Sequence, residues 1–176
     1  MSHGVMIPSK VAAKNVEALV RSAKSATIDF DNGNVCYLHN ISATSGEGEV
    51  WIASTPVSAL PADIWMVGEP EIVITNAQYK GLDPDPRNFY NPALSIFTIF
   101  KPSKYDMIRL TADNFATTRG TETYGDIAAA QKTFSWAATS TSATMLHLIE
   151  VTTIPLAGGS PGHNRITAYR CEVINA

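Results

Sequence analysis

The chain predicts an all-β fold, a small single-domain β-barrel or sandwich, on three observations. Short runs rich in β-branched and aromatic residues recur at regular spacing, Gly and Pro punctuate them, and no strand–helix–strand alternation is present. A length of 176 residues, 45% apolar and 16% charged, suits one ordered domain with its own core.

Residues 1–24 are expected to form an N-terminal arm, extended or with a short helix, ahead of a single β domain over 25–176. "HGVMIP" reads as extended chain. Ala12, Val16, Leu19, Val20 and Ala23 follow at helical spacing, with Ser9 as a candidate N-cap. From Thr27 the pattern becomes β. "TIDFDNGNVCYLHNIS" places Asn32-Gly33 between two alternating runs, which predicts a hairpin. "EVWIAST", "DIWMVG" and "EIVITN" read as further strands.

The segment "GLDPDPRNFYNP", 81–92, interrupts the series as a long Pro-rich loop. Pro84, Pro86 and Pro92 exclude an interior strand or helix, because proline lacks the N–H and fixes φ. Yet the loop carries Phe89 and Tyr90, rings that normally leave water. Either they close over an open end of the barrel, or they anchor the protein to a partner.

"LSIFTIF" and "DMIRLTA" resume the strands around a turn at Pro102. After a polar stretch come "KTFSWAAT" and two long strands, "TMLHLIEVTTI" and "RITAYRCEVI", joined through "GGSPGHN". In the last strand Arg165, Thr167, Tyr169, Cys171 and Val173 share one face, and Ile166, Ala168, Arg170, Glu172 and Ile174 share the other.

The formal charge of −3 gives no general attraction to nucleic acid or anionic membrane. Its distribution is uneven. Lys10, Lys14, Arg21 and Lys24 face only Glu17 in the first 24 residues, whereas 25–79 carry acids and no Lys or Arg. Such a start can reach a neighbouring copy or another acidic surface, or fold back on its own body. No signal peptide is visible, no apolar stretch approaches the roughly 18 residues of a membrane span, and synthesis in a cytoplasm fits best. Cys36 and Cys171 lie in apolar runs and are expected to behave as small hydrophobes.

Chemistry-bearing patterns are thin. The four histidines lack ligand spacing. "DPDPRN" offers alternate oxygens for calcium but has Asn88 at the sixth position and Leu94 at the twelfth, where the loop needs Gly and Glu. Ser160 and His163 share a Gly-rich loop without a third group or a strand–turn–helix setting. "GEGE" at 46–49 lacks the following helix of a phosphate cradle. Trp51, Trp65 and Trp136 fall among aliphatics in strand runs, where core packing is the favoured reading over an exposed binding face. The expectation is a non-enzyme with no catalytic, cofactor-binding or metal-binding residue.

From Ile28 to Phe115 the order "DFDNGNVCYLHNI", "GEVWIASTP", "IWMVGEPEI", "RNFYNPA" and "DMIRLTADNF" resembles small proteins of tailed-bacteriophage head gene clusters. These resemble capsid auxiliary proteins, also called decoration or cement proteins. The likeness covers about half the chain. It departs from the pattern at Glu49-Val50-Trp51, where Arg-Glu-Val-Tyr is expected, and in the proline content of 81–92. It implies a virion protein on the outer surface of an assembled capsid, made in the host cytoplasm. Its partners would be the major capsid protein and further copies of itself, and shell sites around three-fold axes suit a homotrimer. Partner contacts are expected at Lys10, Lys14, Arg21, Lys24, Arg87, Phe89 and Tyr90. A carbohydrate- or receptor-binding β-sandwich of a phage particle is the other reading, with "YKGLDPDPRNFYN" as its aromatic cluster.

Overall fold

Two strand runs, "IWMV" and "IFTIF", are apolar almost without interruption because most of their residues are buried, on both faces of the strand. The computed structural model describes residues 3–68, 86–155 and 165–176. Its strands are β1 Met6–Lys10, β2 Val20–Lys24, β3 Val35–Ile41, β4 Val50–Ser54, β5 Ile64–Val67 and β6 Ile96–Phe100. They continue with β7 Met107–Thr111, β8 Tyr124–Asp126, β9 Ser135–Ala137, β10 Thr144–Pro155 and β11 Arg165–Val173. Among the described residues, helical geometry is confined to three-residue 3-10 turns, as at Ala12–Lys14 and Glu17–Leu19. The all-β expectation holds, and of barrel or sandwich the chain forms a barrel joined to a sheet.

The barrel closes in the order β2-β4-β3-β5-β6. The β2–β4 ladder is parallel and the others are antiparallel. Five strands leave a narrow bore, and the residues match it. Ala23, Cys36 and Ala53 are small, and opposite them Phe97, Ile99, Val67 and Phe30 fill the space.

The second sheet is ordered β1-β7-β11-β10-β8-β9. Its core side packs on the outside of the barrel. Val35, Ile64, Met66 and Phe100 belong to the same cluster as Ile108, Leu110, Cys171 and Val173. Successive side chains of a strand point to opposite faces. Thus Cys36, Val67 and Ile99 enter the barrel while their neighbours Val35, Met66 and Phe100 enter the core between barrel and sheet. Each such burial contributes roughly 1.5–3 kcal/mol, so these few strands hold the two parts together.

The β10–β11 hairpin runs from Leu146 opposite Val173 to Pro155 opposite Arg165, with a bulge between Leu148 and Glu150. Tyr169, Cys171 and Val173 face the core as their alternation predicts. Phe115 stacks on Trp136 at 4.0 Å, and Tyr169 stands edge-on to both rings.

Of the two forms expected for residues 1–24 the extended one is found, with no α-helix among those described, and the segment is woven into both halves of the fold. β1 pairs with β7 and β2 pairs with β4 and β6. The physical reason lies far along the chain. Asp106 accepts the Ala12 N–H at 2.9 Å, Thr111 Oγ1 accepts that of Val5 at 2.9 Å, and Asn114 Nδ2 donates to the Val5 carbonyl at 3.1 Å. Val5, Met6, Val11 and Ala13 are buried.

The Asn32-Gly33 turn forms, with Gly33 at φ 89°, but it does not join paired strands. Thr27–Phe30 makes only a single bridge, from Phe30 to Asn91. A Cβ at Gly33 would stand 2.6 Å from Leu110 Cδ2 and 3.0 Å from Met6 Cβ, so the turn is pressed into the core. The expected strand "EIVITN", residues 81–85 of the Pro-rich loop, and Ser160 and His163 lie outside the described residues.

Candidate functional site

The barrel has two ends, and they are finished differently. At one, Phe30 is fully buried and packs on Phe97 with ring centroids 5.6 Å apart. Phe30 and Asn91 exchange backbone hydrogen bonds of 2.9 and 2.7 Å, and Asn91 Nδ2 donates to the Phe30 carbonyl at 3.1 Å. That end is sealed by the chain itself.

At the other end, four interior-facing positions reach the mouth. Arg21 shares a face of β2 with Ala23, Leu38 shares one of β3 with Cys36, Trp51 one of β4 with Ala53, and Trp65 one of β5 with Val67. The Arg21 guanidinium carbon lies 4.3 Å from the Trp51 ring centroid and 4.7 Å from that of Trp65. Each cation–π contact is worth about 0.5–1 kcal/mol, more where water is excluded. Among the described residues no oxygen accepts a hydrogen bond from this guanidinium, whose five N–H donors diverge in its plane.

Arg21 and Trp51 divide the mouth into two shallow concavities. One, of about 720 Å³, is bordered by Glu17, Val20, Ile41 and Glu49. The other, of about 430 Å³, is bordered by Tyr37, Leu38, Asp63 and Lys101. Lys101 Nζ donates to the carbonyls of Ala62 and Ile64. Burial lowers the Lys101 pKa from its ordinary value, and the Asp63 charge opposes that shift. Val20 and Ile41 leave 37% and 47% of their surfaces exposed, so the mouth has an apolar rim beside its cation.

The seven residues expected to touch partners do not converge. Lys10 and Lys14 are exposed and border one groove with Lys104 and Tyr105. Lys24 is ion-paired to Glu47 at 2.5 Å and also donates to Thr44 Oγ1 at 3.0 Å, so this part of the basic segment folds back on its own body. Arg87 sits in the 3-10 turn Pro86–Asn88, and its carbonyl accepts the His3 N–H at 2.9 Å. Phe89 is buried, with 5% of its surface exposed, and Tyr90 is half-buried and stacked on the His3 ring at 4.6 Å. Asp31 holds the same N-terminal turn through His3 Nδ1 at 2.9 Å and the Gly4 N–H at 3.0 Å. Only Arg21 stands in the barrel mouth.

Trp51 and Trp65 were expected in the core. They are half-buried, packing on the barrel interior with one part and bordering the mouth with the other. Their role was hidden because residues 20–24 did not read as a strand, so nothing placed Arg21 on an interior face beside them. Trp136 is packed against Phe115. Cys36 and Cys171 are free and buried in separate clusters, and burial pushes both thiols up to about 12. Among the described residues no three His, Cys, Asp or Glu side chains gather as metal ligands.

No protein-family model matches this chain, and neither does any curated protein or solved structure compared with it. Fold and surface together define a small closed β-barrel merged with an antiparallel sheet, with a half-exposed arginine–tryptophan cluster at one end of the barrel.

Proposed function

We propose that this protein is a non-enzymatic structural component of a bacteriophage virion that binds the outside of an assembled capsid, with the barrel mouth as its docking face. The observation that carries this reading is the contrast between a body closed by its own side chains and one end where Arg21, Trp51 and Trp65 remain at the surface. Arginine and tryptophan are the residue types most enriched at the energetic centres of protein interfaces. A mouth held on five strands needs little ordering on docking, so most of the contact energy is retained. Repeated over many lattice sites, a contact of modest affinity becomes a durable coat. The order of motifs from Ile28 to Phe115 supports the same reading.

Co-sedimentation with heads assembled from the proposed partner, a major capsid protein, provides the test. Co-sedimentation that saturates at a fixed copy number per head supports the role. A chain that stays in the supernatant at all salt concentrations rejects it.

A glycan-binding module is the second reading, favoured by the aromatic residues Tyr37, Trp51 and Trp65 around one concavity. Binding to an oligosaccharide array without affinity for heads selects it.

A further inference from the structure

Resting on the capsid-docking reading, and deepening it, we infer that the barrel mouth recognises a carboxylate: an aspartate or glutamate, on a protein loop, that enters edge-on to the Arg21 guanidinium. The guanidinium carbon lies over both indoles, 4.3 and 4.7 Å from the Trp51 and Trp65 centroids. Its N–H donors meet no oxygen acceptor among the described residues. A guanidinium held against two rings has lost rotamer freedom before any ligand arrives, and its fork matches a carboxylate with two parallel hydrogen bonds. Lys101, the other cation of the mouth, already donates to the carbonyls of Ala62 and Ile64, whereas the Arg21 guanidinium meets no oxygen acceptor among the described residues.

The acids around the mouth define the rest of the ligand. Glu17 and Glu49 border the Val20–Ile41 side, and Asp63 stands beside Lys101 on the other. None of the three lies within ion-pair distance of Arg21, yet Glu17 and Glu49 would repel a purely acidic segment. The complementary loop therefore carries a lysine or arginine next to its acid, the acid over Arg21 and the base toward Glu17 and Glu49. A sugar is disfavoured because the guanidinium already covers ring face that a sugar would need for stacking.

The full chain is titrated, following tryptophan emission, with a blocked (Glu-Lys)4 peptide, a (Gln-Lys)4 peptide of equal length and a panel of neutral oligosaccharides. The expected result is saturable binding of the glutamate peptide alone, weakened by salt. Arg21→Met should weaken it roughly tenfold or more, and Arg21→Lys, which keeps the charge and loses the fork, by an intermediate factor. Melting temperatures of both variants establish that the barrel is intact, and Arg21→Lys serves as the test if the methionine variant unfolds. Equal binding of the two peptides, unchanged affinity in both variants, or saturation by an oligosaccharide instead overturns the inference. Folded Arg21→Met that coats heads as the wild type does also overturns it while leaving the capsid role intact. Wild type that fails to coat heads sinks that role, and the peptide titration then decides the carboxylate site on its own.

Discussion

The two ends of the barrel are built from the same strands and solve the same problem, the closure of a narrow bore, by different chemistry. Phe30 closes one end with an apolar ring that is 0% exposed, locked by the Phe30–Asn91 bridge. The other end is closed by a cation lying over Trp51 and Trp65, which stays within reach of solvent. An apolar plug gains most when it disappears completely. A guanidinium loses when it is buried without acceptors, so it remains at the surface with its donors available. The sealed end therefore serves stability, and the other end keeps a guanidinium at the surface, the group proposed above to meet a partner.

The largest expected effect tests the sealed end. Phe30→Ala should lower unfolding free energy by about 3–5 kcal/mol, read by urea denaturation, because it empties a site the chain covers fully. Trp65→Ala, at the half-exposed mouth, should lose about half as much. Equal losses at the two ends would erase the distinction between them.

A smaller effect is expected where barrel and sheet join. Asn114 is fully buried, donates to the Val5 carbonyl at 3.1 Å and accepts from Asn34 Nδ2 at 3.4 Å. Asn114→Ala leaves those groups unpaired and should lower stability by about 1–3 kcal/mol. A loss shared between both halves, seen as a single unfolding transition, indicates that they unfold as one unit.

Smaller still, Arg21→Met should lower stability by about 1 kcal/mol, since two partly exposed cation–π contacts contribute about 0.5–1 kcal/mol each and methionine keeps part of the packing on the rings. Its consequence should fall on head binding instead. A large drop in melting temperature would mean that Arg21 acts chiefly as a structural plug.

The smallest effect concerns the loop that borders the mouth. Hydrogen bonds from Lys24 and then Ser42 hold the Glu47 carboxyl below its ordinary pKa of 4.5. A depressed folded-state value means the ionised pair stabilises the fold above pH 4.5, and that contribution fades as pH falls through the folded pKa. Glu47→Gln should therefore show a shallower loss of stability than wild type as pH drops below 4.5, in melts at low salt. Parallel acid limbs in the two proteins would show that Lys24 and Glu47 do not tether this loop.

Much of the β pattern was legible because it is local. The runs around Val50–Ser54, Ile64–Val67, Ile96–Phe100, Met107–Thr111 and the β10–β11 hairpin all fall where alternation, β-branched content and punctuation put them. For residues 1–24 the extended form prevails over the short helix for a physical reason. Ala12, Val16, Leu19, Val20 and Ala23 carry a helical spacing, but burial against β7 and hydrogen bonds to Asp106, Thr111 and Asn114 outweigh so thin a local preference. The Asn32-Gly33 signal correctly gave a turn and wrongly gave a hairpin, because Phe30 found its partner at Asn91 and not across the turn. The candidate site was half legible: Arg21 was singled out by charge, while Trp51 and Trp65 were assigned to the core.

By itself, the order of residues determined an all-β chain, its strand periods, its free apolar cysteines and its separation of charge. Those properties depend on neighbours a few positions apart, which any strand samples as soon as it forms. Only tertiary structure decided that the first residues belong to both sheets, that Phe89 is buried, and that one arginine meets two tryptophans at a barrel mouth. Such contacts join residues from 30 positions apart, as Arg21 and Trp51, to more than 100, as Met6 and Leu110, and their energy exists only once the barrel has closed and brought them together.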